Sequence, residues 1–181
     1  MEGKCIEKPV VGIVMGSDSD LPVMDEARKM LEDLGIEYEM TIASAHRSPD
    51  RTSRYARSAI EKGIEVIIVG AGGAAHLAGM IAAETVLPVI GVPIDSSSLR
   101  GLDALLSTVQ MPGGVPVATM AIGKSGAKNA AIFAAQLLGG KYSKIRDSLD
   151  RYKKNLAFQV EEKAKKLENQ VKARKSQESA K

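Results

Sequence analysis

Residues 64–76 read Ile64-Glu65-Val66-Ile67-Ile68-Val69-Gly70-Ala71-Gly72-Gly73-Ala74-Ala75-His76, and this stretch decides the fold. Residues 64–69 are β-branched and apolar except for Glu65. A short, nearly continuous apolar run of this kind suits a strand buried on both faces. The Gly/Ala run that follows ends the strand with little side-chain bulk, and an Ala-rich helix is predicted near residues 77–85. Strand, tight loop and helix in that order form the unit of a parallel sheet covered on both sides.

The same unit recurs outward from this stretch. Residues 10–15 are a mostly β-branched run, and Gly16-Ser17-Asp18-Ser19-Asp20 is a polar loop after it. Met24, Ala27, Leu31 and Leu34 then repeat at helical spacing, with Gly35 where a helix stop is expected. Residues 37–43 predict a second strand, and Ser44-Ala45-His46-Arg47-Ser48-Pro49 a second loop. Ser48 suits an N-cap and Pro49 the first helical position of a helix running to about Lys62, with Gly63 as its stop. Downstream, residues 89–93 and 117–122 predict strands four and five, and residues 98–109 and 125–138 the helices after them. Five alternations predict an α/β fold: a three-layer, doubly wound parallel sheet of strand order 2-1-3-4-5.

The last 41 residues are different. Residues 1–140 carry 12 Lys/Arg and 16 Asp/Glu, whereas residues 141–181 carry 13 and 6. Ile145, Leu149, Tyr152, Leu156, Val160, Leu167 and Val171 recur there at three, four or seven. One helix over residues 141–175 would be roughly 50 Å long at 1.5 Å per residue, longer than a domain of this size is wide. Two parts are therefore predicted: an α/β domain over residues 1–140, and a helical extension over residues 141–181 that packs on neighbouring subunits and frays over its last ten or so residues. Interspersed acids make a solvated helix face the preferred reading of the basic tail over nucleic-acid binding.

Composition removes several classes. Aromatic residues are 3% of the 181 and Trp is absent, so base-stacking platforms are scarce. The lone Cys5 excludes a disulfide framework, and two histidines leave little material for a transition-metal site. No apolar stretch reaches the ~18–20 residues of a membrane span, and residues 1–10 carry charges where a signal peptide needs an apolar core. A cytoplasmic protein without membrane attachment is expected.

In open parallel sheets, ligands bind beyond the carboxyl ends of the strands. Three loops of unusual composition leave those ends. In Gly16–Asp20, free N–H groups at a helix start and two hydroxyls suit an anion, and Asp20 suits ribose hydroxyls; the alternative is that Ser19 or Asp20 caps the helix. In Ser44–Pro49, His46 can exchange a proton near neutral pH and Arg47 can grip a phosphate; the alternative is a capping Ser, a structural His and a surface Arg. In Gly70–His76, small residues admit close backbone approach to a ligand, or simply tight helix packing, and His76 alone reads as a structural or hydrogen-bonding residue. Residues 110–116 (Gln-Met-Pro-Gly-Gly-Val-Pro) suit either a pocket cover or a plain connector. Lys124, after strand five, is either a phosphate sensor or a solvated charge.

The ordered set of motifs is more specific than any one of them. Met15-Gly16-Ser17-Asp18-Ser19-Asp20, Ser44-Ala45-His46-Arg47-Ser48-Pro49, Gly70 to Leu77, Gln110 to Val117, Ala121-Ile122-Gly123-Lys124 and Asn129-Ala130-Ala131 together closely resemble class I of the aminoimidazole ribonucleotide carboxylase family of purine biosynthesis. The likeness covers residues 9 to about 155. It implies a flavodoxin-like fold, a homo-octamer in which several subunits build each site, a small ribonucleotide substrate, and no metal, ATP or organic cofactor. The implied reaction moves a carboxylate from exocyclic N5 to ring C4 by decarboxylation, CO2 trapping and recarboxylation, with His46 as general acid and base. Class II relatives, which fix free CO2, carry Lys after the motif histidine; here Arg47-Ser48-Pro49 follows the class I pattern. The resemblance further implies that Ser17, Asp20 and Arg47 bind the ribose phosphate, and that Ser44, Gly72, Gly73, His76 and Met111 lie around the substrate.

Two readings from other classes are weaker. A phosphoacceptor receiver module would need an acceptor Asp at the end of strand three, where Gly70-Ala71-Gly72 stands. A flavin-binding flavodoxin would need ring-stacking partners, and the three loops hold no Phe, Tyr or Trp.

Overall fold

The structure, a computed structural model, describes residues 8–178, with side chains described up to residue 172; Cys5 lies outside this range. Strands β1 (Val11–Met15), β2 (Tyr38–Ile42), β3 (Val66–Gly72), β4 (Val89–Ile94) and β5 (Ala118–Thr119) form one parallel sheet of order β2-β1-β3-β4-β5. This is the predicted topology. Helices α1 (Leu21–Asp33), α2 (Pro49–Ser58), α3 (Leu77–Glu84), α4 (Leu102–Val109) and α5 (Lys124–Gly139) follow the five strands in turn, and α6 (Ser143–Glu178) ends the described chain.

Strand side chains alternate between two cores, as the pleat requires. Val11, Ile13, Val66 and Ile68 join Met24, Leu31, Ala131 and Ala135 of α1 and α5 on one face. Val14, Ile67 and Val69 join Tyr55, Leu77 and Ile81 of α2 and α3 on the other. Gly35 (φ +70°) and Gly63 (φ +94°) stand in the left-handed region at the two places where helix stops were expected. That conformation costs Gly little and any residue with a Cβ more.

Several elements differ from the sequence-based expectation, among them α4, which starts at Leu102 and not at residue 98. Strand β3 starts later and runs on through Gly70, Ala71 and Gly72, which pair with Val92, Pro93 and Ile94 of β4, so the loop proper is only Gly73–His76. Strand β5 keeps two residues of the expected six. It pairs only as Ile90 with Ala118 and Gly91 with Thr119. Gly123 N–H still donates to the Pro93 carbonyl at 2.8 Å, but Pro93 has no N–H to return and the ladder ends. Helix α2 stops at Ser58, short of Lys62, and the chain turns down to Gly63.

The core does not end at residue 140. Ile145 (2% exposed) and Leu149 (7%) belong to the same cluster as α1 and α5, and Tyr152 packs against it. Past that point the stripe has no cover among the described residues: Leu156, Val160, Leu167 and Val171 are exposed. Helix α6 spans 36 residues, roughly 54 Å. It enters the stretch expected to fray and reaches Glu178; residues 179–181 lie outside the described range. Among the described residues no helix is long and apolar enough to cross a membrane.

Candidate active site

The carboxyl ends of β1, β2, β3 and β4 bring four loops to one rim, around a cleft of about 320 Å³. That volume is in the range of small-molecule sites. Ser17, Asp20, Ser44, His46, Arg47, Gly72 and His76, all singled out from the sequence, line it. Gly73 turns the chain beside it at φ +59° without lining it. Met111 is elsewhere: its side chain lies against Gly79 of α3, where a Cβ would come within 3.1 Å of it. Lys124 starts α5 beyond the opposite edge strand, β5, and does not reach the cleft.

The β1 loop is held by its own polar groups. A short 3₁₀ turn over Asp18–Asp20 precedes α1. Ser17 is its cap, accepting from Ser19 N–H, and Ser17 N–H donates to the Asp20 carboxylate at 3.0 Å. Of the two capping candidates, neither Ser19 nor Asp20 caps α1 through its side chain; Asp20 instead reaches back to the loop. Asp20 is only 5% exposed. Its burial raises the carboxyl pKa above the ordinary value, against the lowering effect of the loop N–H groups and the Arg47 charge.

Arg47 is fixed across the rim. Its Nη2 donates to the Gly16 carbonyl at 2.9 Å, and its Nε and backbone N–H point at Ser44 Oγ at 3.4 and 3.2 Å. This ties the β2 loop to the β1 loop and leaves the other guanidinium nitrogen for a ligand. Next to it a second cleft of about 440 Å³ shares Gly16, Ser17, Ser44 and Arg47. Guanidinium, hydroxyls and backbone donors gathered there suit an anionic group.

His46 and His76 meet at the other side. His46 Nε2 and His76 Nδ1 are 2.8 Å apart, with the rings edge-on at 79°. One nitrogen donates and the other accepts, so each ring dictates its neighbour's tautomer. His76 is thus the hydrogen-bonding residue the sequence suggested, and its partner is the candidate proton carrier. Both rings are exposed to the cleft, where a proton can be passed to or from a bound molecule. Among the described residues no three His, Cys, Asp or Glu side chains converge to hold a metal ion.

Two of the three glycines of the small-residue run, Gly70 and Gly72, serve different ends. A Cβ at Gly70 would come within 2.8 Å of Met24 Cγ and 3.1 Å of Ile94 Cδ1, so this glycine exists for packing. A Cβ at Gly72 would overlap the hydroxyl of Ser96, a cleft-lining residue that the sequence reading missed. Ser96 carries the same signal as the other three loops, since it follows the carboxyl end of a strand, but Ser96-Ser97-Ser98 looks like an ordinary turn.

Comparison with known proteins gives a consistent result. The family described as AIR carboxylase matches residues 10–159. The chain is 64% identical over 162 residues to the N5-carboxyaminoimidazole ribonucleotide mutase of Pyrococcus horikoshii, a match spanning 90% of each chain. It is 62% identical over 160 residues to the protein of the same name from Thermotoga maritima, covering 88% of this chain and 92% of that one. Among solved structures, Treponema denticola PurE superposes with a TM-score of 0.80 at 29% identity, over 88% of this chain and 99% of the other.

Proposed function

The chain belongs to the AIR carboxylase family, and from that premise we propose that it is a mutase of purine biosynthesis converting N5-carboxyaminoimidazole ribonucleotide to 4-carboxyaminoimidazole ribonucleotide. The observation that carries the reading is the pairing of His46 with His76 in the same cleft as Ser17, Asp20 and Arg47. The phosphate takes the Arg47 end, with Ser17 and the loop N–H groups, and Asp20 takes the ribose hydroxyls. The heterocycle then lies beside His46.

Transfer needs two opposite proton movements. As the N5–carboxyl bond breaks, its electron pair returns to nitrogen, which takes a proton from the His46 imidazolium; aminoimidazole ribonucleotide and CO2 remain in the cleft. C4 attacks CO2, and the neutral imidazole then removes the C4 proton and restores the aromatic ring. One proton leaves His46 and one returns, so one residue serves both halves. His76 holds the ring in one orientation and tautomer through the cycle. It is a positioning residue in this scheme.

The working unit is a cytoplasmic homo-octamer. Two exposed apolar surfaces support association: Leu102, Leu106 and Val109 along α4 with Leu99 just before it, and Leu156, Val160, Leu167 and Val171 along α6. The outer part of α6, from Leu156 to Val171, packs on neighbouring subunits. Met111, outside the cleft of its own chain, meets the substrate in an assembly where loops of one copy close the cleft of the next.

The test is to incubate the purified protein with N5-carboxyaminoimidazole ribonucleotide without added metal, nucleotide or bicarbonate. The C4-carboxylated product is expected. Product formed only from aminoimidazole ribonucleotide plus bicarbonate would instead assign the CO2-dependent carboxylase reaction.

A further inference from the structure

The fourth rim loop, which follows β4, has a role of its own if the chain is the mutase proposed above. Strands β2, β1, β3 and β4 lie side by side, and each delivers a residue to the cleft: Arg47 after β2, Ser17 and Asp20 after β1, His76 after β3 and Ser96 after β4. Anion-binding groups are gathered at the β2–β1 end. A ribonucleotide with its phosphate there extends its heterocycle along the rim toward β3 and β4. The wall at that end is Ala71, Gly72, Ala74 and Leu77. Apart from the two histidines, the Ser96 hydroxyl is the side-chain hydrogen-bonding group on it.

Two features set Ser96 apart from its neighbours. Ser97 is committed to the loop: its hydroxyl donates to Asp103 at 2.7 Å and accepts from Leu99 N–H at 3.1 Å. The Ser96 hydroxyl makes no hydrogen bond among the described residues. Its place is also reserved. A Cβ at Gly72 would overlap that hydroxyl and stand 2.8 Å from Ser96 Cβ and 3.2 Å from the Ile94 carbonyl oxygen. Gly72 therefore leaves the space through which the Ser96 hydroxyl enters the cleft.

We propose that Ser96 is a substrate-contacting residue whose hydroxyl donates a hydrogen bond to the carboxylate that travels between N5 and C4. A carboxylate is an acceptor-only group, and the hydroxyl is a donor free to meet it. A neutral donor suits the chemistry. It orients the carboxylate and the CO2 derived from it, yet adds no full positive charge that would hold the starting carboxylate too firmly to break. The bond that Ser96 makes is lost when CO2 escapes, so the hydroxyl guards the trapped intermediate.

The experiment supplies the N-carboxylated ribonucleotide to wild type and Ser96→Ala and measures two products: 4-carboxyaminoimidazole ribonucleotide, and the aminoimidazole ribonucleotide released with CO2, corrected for an enzyme-free blank. Affinity for aminoimidazole ribonucleotide, which has no carboxylate, is measured alongside by calorimetry and also reports that the variant is folded. The released fraction should rise roughly tenfold, the order of one hydrogen bond to a charged group, while that affinity stays within about twofold. An unchanged product ratio overturns the proposal, and so does an affinity for the uncarboxylated nucleotide that falls in step with activity. Wild type that makes no C4 product at all would instead remove the mutase reading on which the proposal rests.

Discussion

The rim of the sheet and the outer half of α6 are both exposed and both polar, yet they are completed in different ways. At the rim the chain supplies its own partners. Arg47 reaches Gly16, Ser17 reaches Asp20, and His46 reaches His76 thirty positions away. Along α6 the partners run out after Tyr152, and the same stripe that buries Ile145 and Leu149 leaves Leu156, Val160, Leu167 and Val171 in the open. Internal bonds pre-organise the residues that this chain gives to the site, whereas an unfinished stripe needs another surface. The proposed chemistry thus falls where the chain satisfies its own polar groups and the proposed association where it does not, and substitutions in the two regions should fail differently.

The largest expected effect is at the rim. His46→Asn should lose about 10²–10⁴-fold in turnover or more, because the group acts in two steps, while calorimetry still detects bound nucleotide. Turnover near that of wild type would take His46 out of the mechanism. Arg47→Ala should weaken nucleotide binding by about 10–100-fold, the range for losing a hydrogen bond to a charged group, with a smaller change in the chemical step. Unaltered affinity would move the phosphate elsewhere.

The glycine pair sharpens the contrast between packing and chemistry within one strand. Gly70→Ala drives a methyl against Met24 and Ile94 and should cost about 1–3 kcal/mol of stability, visible as a lower Tm. Gly72→Ala meets Ser96 at the cleft wall and should depress activity more than Tm. Equal losses of Tm in both variants would erase the distinction. On α6, removing residues 153–181 leaves Ile145 and Leu149 in the core and should lower the oligomeric state in light scattering without unfolding the domain. An unchanged oligomer would show that the outer stripe contributes nothing to assembly.

The smallest effect concerns Asp20. Its carboxyl pKa is raised by burial, so the folded state binds the proton more tightly than the unfolded chain does. The ionised form therefore costs stability above that raised pKa, and the cost disappears as pH falls toward the ordinary carboxyl value. Asp20→Asn should raise Tm modestly at neutral pH, with the gain shrinking on acidification, while nucleotide affinity falls. A gain that grew toward low pH would contradict this sign.

Much of this was legible in the sequence, and the exceptions have physical causes. β1, β3 and α1 announce themselves because their burial depends on neighbours a few residues away: Met24, Ala27 and Leu31 follow one helical face, and all three are buried. Strand β5 was over-predicted because its length is limited by Pro93 on a different strand. The run Gly70–His76 looks like one loop, although its first three residues are strand, because glycine carries little strand signal until its partners on β4 are known. His46 was singled out by its place in a motif, but its bond to His76 is a relation through space that no local pattern encodes. Ser96 was missed for the same reason, since its importance depends on the absence of a side chain at Gly72.

The central claim is that one cleft keeps the carboxyl carbon from its departure at N5 to its arrival at C4. Supplying N5-carboxyaminoimidazole ribonucleotide labelled with ¹³C at the carboxyl group, in excess unlabelled bicarbonate, tests it most directly. Product that retains the label at its C4 carboxylate is the predicted result; product carrying the unlabelled carbon of the medium would contradict it.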